Sequence, residues 1–499
     1  MVKRAWIVLC LLIVGLTGFR LVFGAWAELI PEEAYYWTYS QHPSLGYFDH
    51  PPMVAWTIWL GTFVLGNTEL GVRLVNIFLW IATAVAVLQT AKLWFDERVA
   101  VGAALLYAVL PVFIGIGFIV TPDGPLVFFW ALCLYGLTRA MQEEKLRYWL
   151  LAGVALGGAM LSKYYAVVLV PSLLWFLLWS PKYRRCLKNW QLWLALVVGG
   201  LVFSPVIWWN SQNQWASFAF QSSRTVDQRG SVALYIGTFW VSQLAVLMPL
   251  GFALMVATAW RAVRRGWFGR EDAWNFVGSF GLPVFGLFAA ASFKTGVHVN
   301  WTAPAFLALA IGAAAIAVDG LASGNRWWRR GAWAMGVLSV LGIIGFHFGI
   351  SGHAGKFGYS YAGGWRQLAA SVEVVAQRVE KQTGQKPFFI GADKYYLAAE
   401  LGFYLRQPDE CVNMYAFGSR GLGYRYWTDL NKFEGRPALV VATNLKPSML
   451  KEMKEHFVRS DEPEAIPVAR SGKRWQNVRG MVGFGYRQAG PPVGDASLD

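Results

Sequence analysis

A succession of apolar runs, each a candidate for crossing a bilayer as a helix, constrains this chain more than any other feature. The runs fall at 5–24, 70–92, 99–120, 124–141, 148–162, 164–180, 190–209, 232–259, 274–292, 301–319 and 331–351. Several are short, and the segment 53–67 either lies along the interface or adds to them, so the pattern predicts about 11 to 13 transmembrane helices. Composition agrees: 56% of the 499 residues are apolar, 15% are charged and the mean hydropathy is +0.38, the values of an integral membrane protein. Lys3 and Arg4 ahead of the first run imitate a secretory signal. No small-residue cleavage site follows before Glu28, and many spans come after, so this run is expected to remain as the first helix.

The net charge of +15 would suit nucleic acid only if the cations shared one face of a soluble fold. Instead they gather in short loops: Lys3 and Arg4; Lys92 and Arg98; Arg139, Lys145 and Arg147; Lys182, Arg184, Arg185 and Lys188; Arg261, Arg264, Arg265 and Arg270; Arg326, Arg329 and Arg330. These are alternate loops, which makes them cytoplasmic and the N-terminus with them. The intervening loops, including Ala25–Trp56, Thr121–Asp123, Ser162–Tyr165, Asn210–Gly230 and Phe293–Trp301, then lie outside, as does everything after about Ser351. From Gly352 the pattern becomes that of a water-soluble α/β domain, with helices expected over Gly364–Lys381 and Tyr395–Leu405 and strands over Pro387–Ala392 and Pro437–Thr443. The expected organisation is a transmembrane catalytic domain over 1–351, its first outer loop at 25–67, followed by an extracytoplasmic α/β domain over 352–499. Cys10, Cys133, Cys186 and Cys411 show neither metal spacing nor a disulfide framework.

The loop Ala25–Trp56 carries four carboxylates, Glu28, Glu32, Glu33 and Asp49, and no Lys or Arg. They sit among Tyr35, Tyr36, Trp37, Tyr47, Phe48 and the pair Pro51-Pro52. A carboxylate in a partly dry, aromatic setting has a raised pKa and is a stronger base when ionised. The alternative is a solvated helix start after Pro31, a position that favours acids. Other polar residues interrupt the apolar pattern at the same outer level: Arg20, His50, Asp123, Lys163 with Tyr164, Arg224 and Arg229, Lys294, His298 and Asn300. Charges at membrane depth are costly and usually face a cavity, and this set suits a phosphate-bearing lipid. Bland readings stand beside it. Arg20 snorkels to the interface, Lys163 marks a hairpin turn, and His50 and His298 make structural hydrogen bonds.

The string Glu32-Glu33-Ala34-Tyr35-Tyr36-Trp37, followed by Gly46-Tyr47-Phe48-Asp49-His50-Pro51-Pro52, resembles the first outer loop of bacterial members of the dolichyl-phosphate-mannose protein mannosyltransferase superfamily. That group includes the aminoarabinose transferase of lipid A and has the multi-span GT-C fold. Supporting matches follow in order: Thr121-Pro122-Asp123, Ser162-Lys163-Tyr164, Ser204-Pro205 with Trp208-Trp209-Asn210, Trp215 with Ser217-Phe218 and Phe220-Gln221, Asn300-Trp301-Thr302-Ala303-Pro304, and Asp393-Lys394-Tyr395 with Ala398-Ala399-Glu400-Leu401 and Phe403-Tyr404.

The resemblance implies a polyprenyl-phosphate-linked sugar donor, inverting transfer on the periplasmic side of a bacterial inner membrane, and a glycan, lipid A or protein acceptor. Membrane lipids are expected partners and nucleic acid is not. The family's opening pair is Asp-Glu with the Asp as general base. The matching residue here is Glu32, one methylene longer, which leaves Glu33 open for the same role. Lys precedes the paired prolines in the aminoarabinose transferases and touches the donor phosphate; His50 stands there in this chain. Asp49 matches an acidic position that helps hold a metal in those enzymes, so a divalent ion is an open expectation. Tyr35, Tyr164, Lys163, Arg224, Lys294, His298, Asn300 and Asp123 are expected around the donor. The rival class is a lipid or solute transporter, which would place its ionisable groups near the bilayer midplane in repeated halves; here they cluster at one rim without a repeat.

Overall fold

The computed structural model describes residues 2–223, 231–350, 363–392, 395–413, 422–443, 447–468 and 478–488. The chain divides into two compact units. The first comprises Met1–Phe23, His50–Thr57 and Arg73–Phe346, and the second Gly24–Asp49, Ile58–Val72 and His347–Asp499. The acidic loop as far as Asp49, with all four of its carboxylates, therefore shares a unit with the C-terminal residues, far from it in sequence, whereas His50–Thr57 belongs to the first unit.

Helices account for most of the described residues up to 350: α1 (Val2–Trp26), α2 (Pro31–Gln41), α3 (Met53–Leu65), α4 (Glu69–Trp94), α5 (Glu97–Val109), α6 (Pro111–Ile116), α7 (Asp123–Glu143), α8 (Leu146–Ser162), α9 (Leu169–Trp179), α10 (Trp190–Gln212), α11 (Ala216–Ser223), α12 (Val232–Leu247), α13 (Pro249–Arg261), α14 (Asp272–Ala291), α15 (Ala303–Ala322) and α16 (Arg326–Ile350). Among the described residues seven, α1, α4, α7, α10, α14, α15 and α16, are long and apolar enough to cross a membrane; the protein is a multi-pass membrane protein. Other expected runs fold as shorter or broken helices. The run 99–120 breaks at Leu110, whose extended backbone precedes Pro111 at the first position of α6, as the residue before proline avoids helical angles. The run 232–259 bends by 105° at Met248, held at φ 61° ahead of Pro249.

The first unit is cemented by small residues. Gly153 of α8 approaches the Ala195 carbonyl of α10 so closely that a Cβ would sit 2.4 Å from it, and a Cβ on Gly136 of α7 would sit 3.0 Å from the Ala152 backbone N of α8. Small residues bring helix backbones close where lipid supplies no hydrophobic drive.

In the second unit, α17 (Trp365–Thr383), β1 (Phe388–Gly391), α18 (Tyr396–Tyr404), β2 (Cys411–Asn413), α19 (Tyr424–Trp427), β3 (Ala438–Ala442), α20 (Pro447–Glu455), β4 (Phe457–Ser460), β5 (Glu464–Ala465) and β6 (Arg479–Tyr486) follow in order. The expected helices and strands form within two residues of their expected ends. The sheet runs β2-β1-β3-β6-β4, with β5 on β6; β1 is parallel to β2 and β3, and β6 is antiparallel to β3, β4 and β5. Alternation along the strands sorts the core into two layers. Phe389, Leu439 and Val441 pack with Trp365, Leu368, Val372 and Leu401 of α17 and α18. Phe388, Ile390 and Val440 pack with Phe433 and Met453 on the opposite face.

Candidate active site

In the second unit the acidic loop folds as α2, which Pro31 opens at its first position, where a missing N–H costs nothing. Two of the loop's four acids are taken by backbone. Glu33, fully buried, returns its Oε2 to the Ile30 N–H at 3.2 Å, the return half of a capping box. Glu28 Oε2 accepts the Trp365 N–H at 2.9 Å at the first turn of α17, whose cap residue Gly364 sits at φ 93° with no side chain to do this.

Glu32 differs from both. It is half-buried, and desolvation raises its carboxyl above the usual range; a backbone hydrogen bond pulls the other way and the Glu33 charge adds a further upward push. Helical spacing places Tyr35 and Tyr36 on its face one turn on. Tyr35 and Tyr39 both donate their hydroxyls to Asp49 Oδ1, Tyr35 at 3.0 Å, and the Gly423 N–H donates to the Tyr35 hydroxyl at 3.3 Å. Burial, and after it the Asp49 charge, pushes both phenols well above their ordinary value, so they stay protonated as donors. Rings from the C-terminal residues close over α2: Tyr395 lies 4.3 Å and Tyr424 6.3 Å from Tyr35, centroid to centroid, and Trp427 stacks on His42 at 5.2 Å. Sequence reasoning did not select Tyr39, Tyr395, Tyr424 or Gly423 as site residues. The available signal was the Tyr395-Tyr396 pair inside a matched motif.

Within the first unit, Asp123 starts α7 and is almost fully buried. Its Oδ1 receives Lys163 Nζ at 2.7 Å; its Oδ2 receives Asn300 Nδ2 at 2.6 Å and Thr121 Oγ1 at 3.2 Å. Lys163, only 7% exposed, caps the break between α8 and the 3-10 turn Tyr164–Val168. Asn300 precedes α15. Three loops expected outside thus meet at one carboxylate, and the Lys163 charge is answered there. The Tyr165 hydroxyl donates to the Trp301 carbonyl at 3.1 Å, adding a second tie between the same loops.

The Tyr164 hydroxyl and Ser217 Oγ lie 2.7 Å apart. Lys294 and His298 are exposed, His298 against the Trp301 ring at 5.1 Å, and His50 is half-buried. Arg20 does not snorkel: it is fully buried, donates Nη2 to the Ile114 carbonyl at 3.1 Å and lies over the Trp80 ring at 4.0 Å. Helix α6 ends beside that carbonyl, where orphan C=O groups need donors. Arg224 and Arg229 lie outside the described residues. Among the described residues no group of three or more His, Cys, Asp or Glu is placed to hold a metal ion, and the Asp49 oxygen described above is engaged by two phenols.

Comparison with known proteins places this geometry in context. Residues 49–209 match the family model described as dolichyl-phosphate-mannose-protein mannosyltransferase. The lipid A galacturonosyltransferase RgtD of Rhizobium johnstonii is 27% identical over 304 residues, 60% of this chain and 63% of that protein. The undecaprenyl phosphate-alpha-4-amino-4-deoxy-L-arabinose arabinosyl transferase of Pseudomonas paraeruginosa is 32% identical over 204 residues, 36% of each chain. The matched region thus spans less than two thirds of these curated relatives. The crystal structure of ArnT from Cupriavidus metallidurans, apo, superposes with a TM-score of 0.64 at 18% identity, covering 98% of this chain and 100% of that one. The same protein bound to undecaprenyl phosphate gives 0.63 at 18% identity, over 97% and 99%. At that identity the likeness is one of fold.

Proposed function

We propose that this chain, which is similar over part of its length to lipid A glycosyltransferases and shares the fold of ArnT, transfers a sugar, with inversion, from a polyprenyl-phosphate-linked donor. The acceptor is a hydroxyl or phosphate of an envelope lipid, lipid A foremost, or of a glycan or protein, on the periplasmic side of the inner membrane. The observation that carries the reading is Glu32. Of the opening loop's adjacent acids it is the one that keeps solvent-accessible surface, Glu33 being fully buried on the Ile30 N–H, and it is held half-dry on a tyrosine-lined face.

In the proposed reaction Glu32 takes the proton of the acceptor hydroxyl. The acceptor oxygen forms a bond to the anomeric carbon while the bond from that carbon to the lipid phosphate breaks on the opposite side, releasing polyprenyl phosphate. Asp49 holds Tyr35 and Tyr39 in place along α2 and keeps that helix face rigid. Cations stabilise the phosphate as its charge grows; Lys294, His298 and Arg224 are assigned this task, with His50, Tyr164 and Asn300 as further donor contacts. Lys163, already paired with Asp123, acts by fixing the 293–301 loop through the Asn300 contact to the same carboxylate.

The test is transfer by the purified full-length protein in lipid nanodiscs. It is supplied with radiolabelled polyprenyl-phosphate donors bearing uronic acid, aminopentose or neutral hexose sugars, with lipid A and membrane protein as acceptors. Label entering an acceptor fraction from one donor class is the expected result; no label from any donor would overturn the reading.

A further inference from the structure

We propose that Tyr395 and Tyr396 form an aromatic subsite for a pyranose ring beside Glu32, and this rests on the reading of Glu32 as the base. The two rings stand 4.3 Å apart, centroid to centroid, at 63° to one another. Tyr395 is held from behind by Tyr35, 4.3 Å away at 37°, and Tyr35 is itself locked by Asp49 and Gly423. The helices that carry these rings are joined by Trp37 of α2, packed edge-on against Phe403 of α18 at 5.0 Å and 90°. The platform is therefore rigid before any ligand arrives.

Exposure separates this pair from the tyrosines around it. Tyr35, Tyr39 and Tyr424 are 2%, 0% and 1% exposed, as rings used for packing are, whereas Tyr395 and Tyr396 are half-buried. Tyr395 packs on Tyr35, which lies one helical turn after the half-buried Glu32 on α2; burial foremost, with the Glu32 charge the least of the causes, raises the Tyr395 phenol. Two angled aromatic faces beside a carboxylate match the chemistry of a pyranose, whose C–H face packs on a ring while its hydroxyls donate to an acid. The pair lies just ahead of α18 and at its start, so the C-terminal residues contribute directly to recognition. The sugar is either the one carried by the donor or one on the acceptor, and both present the same face.

The experiment compares Tyr395→Leu, Tyr396→Leu, Tyr395→Phe and Tyr396→Phe with Glu32→Gln in the full chain in nanodiscs, with KM for donor and for acceptor measured separately. Each Leu variant should raise one KM by about tenfold while kcat changes by less than about threefold, and each Phe variant, which keeps the ring, should recover most of that loss. The KM that moves identifies whose sugar is bound. Unchanged KM values for both substrates in the Leu variants, or Phe variants as impaired as Leu, would overturn the subsite. Variants that unfold, detected by a lost melting transition, are replaced by Tyr395→Met and Tyr396→Met, read the same way. Full turnover by Glu32→Gln would instead remove the base assignment, whatever the tyrosines do.

Discussion

Lys163 Nζ lies 2.7 Å from Asp123 Oδ1 with both side chains nearly closed to solvent, an ion pair that ties the start of α7 to the end of α8. Breaking such a pair from one side strands a buried charge, which costs about 3–5 kcal/mol, whereas apolar replacement of both partners is often close to neutral. Lys163→Met and Asp123→Leu should therefore each lower the melting temperature in detergent more than the double variant does. Equal or additive losses would show that the two residues act independently.

Glu28 supplies the cap that Gly364 cannot. Removing a capping acceptor costs about 0.5–2 kcal/mol, so Glu28→Ala should destabilise the second unit by that amount, read as earlier loss of hydrogen-exchange protection at the start of α17. Protection unchanged along α17 would assign Glu28 another role.

Tyr35 and Tyr39 share the Asp49 carboxylate, so losing one leaves the other as donor. Tyr39→Phe should cost about 1–3 kcal/mol. In an Asp49→Asn background its effect should shrink, giving a clear coupling energy in a double-mutant cycle. Additive effects would mean that the contact contributes nothing to stability.

These relationships divide sharply in how far the sequence reveals them. The helical spacing of Gly364–Lys381 and the buried strand pattern of Pro437–Thr443 produce α17 and β3 because local periodicity decides which face is apolar. The acidic string points to α2, but not to which of its carboxylates is tied to backbone. Glu28 and Glu33 resemble Glu32 in composition, and only the positions of the Trp365 and Ile30 N–H groups separate caps from candidate base. Lys163 and Asp123 each stood out as charges in apolar surroundings. That they neutralise one another, 40 residues apart, depends on the α7–α8 hairpin. The rings of Tyr395 and Tyr424 reach Tyr35 of α2 from 360 and 389 residues away, a pairing no local pattern encodes.

Because desolvation raises the Glu32 carboxyl pKa above its value in the unfolded chain, the folded protein binds more protons just above the ordinary carboxylate range. Stability then falls as pH rises through that window. Glu32→Gln should flatten this slope above about pH 4 and make the protein more stable at neutral pH. A variant less stable than the parent at pH 7 would contradict the desolvated environment. The same raised pKa predicts that transfer activity is lost on acidification at a higher pH than an exposed glutamate would give.

The central claim is that Glu32 removes the acceptor proton, and single-turnover transfer by Glu32→Gln tests it most directly. With donor prebound and acceptor in excess, the account predicts a rate lower by at least about a hundredfold, in the range of general-base catalysis, with donor affinity retained within a few-fold. Transfer at the parent rate by a folded Glu32→Gln protein would contradict it.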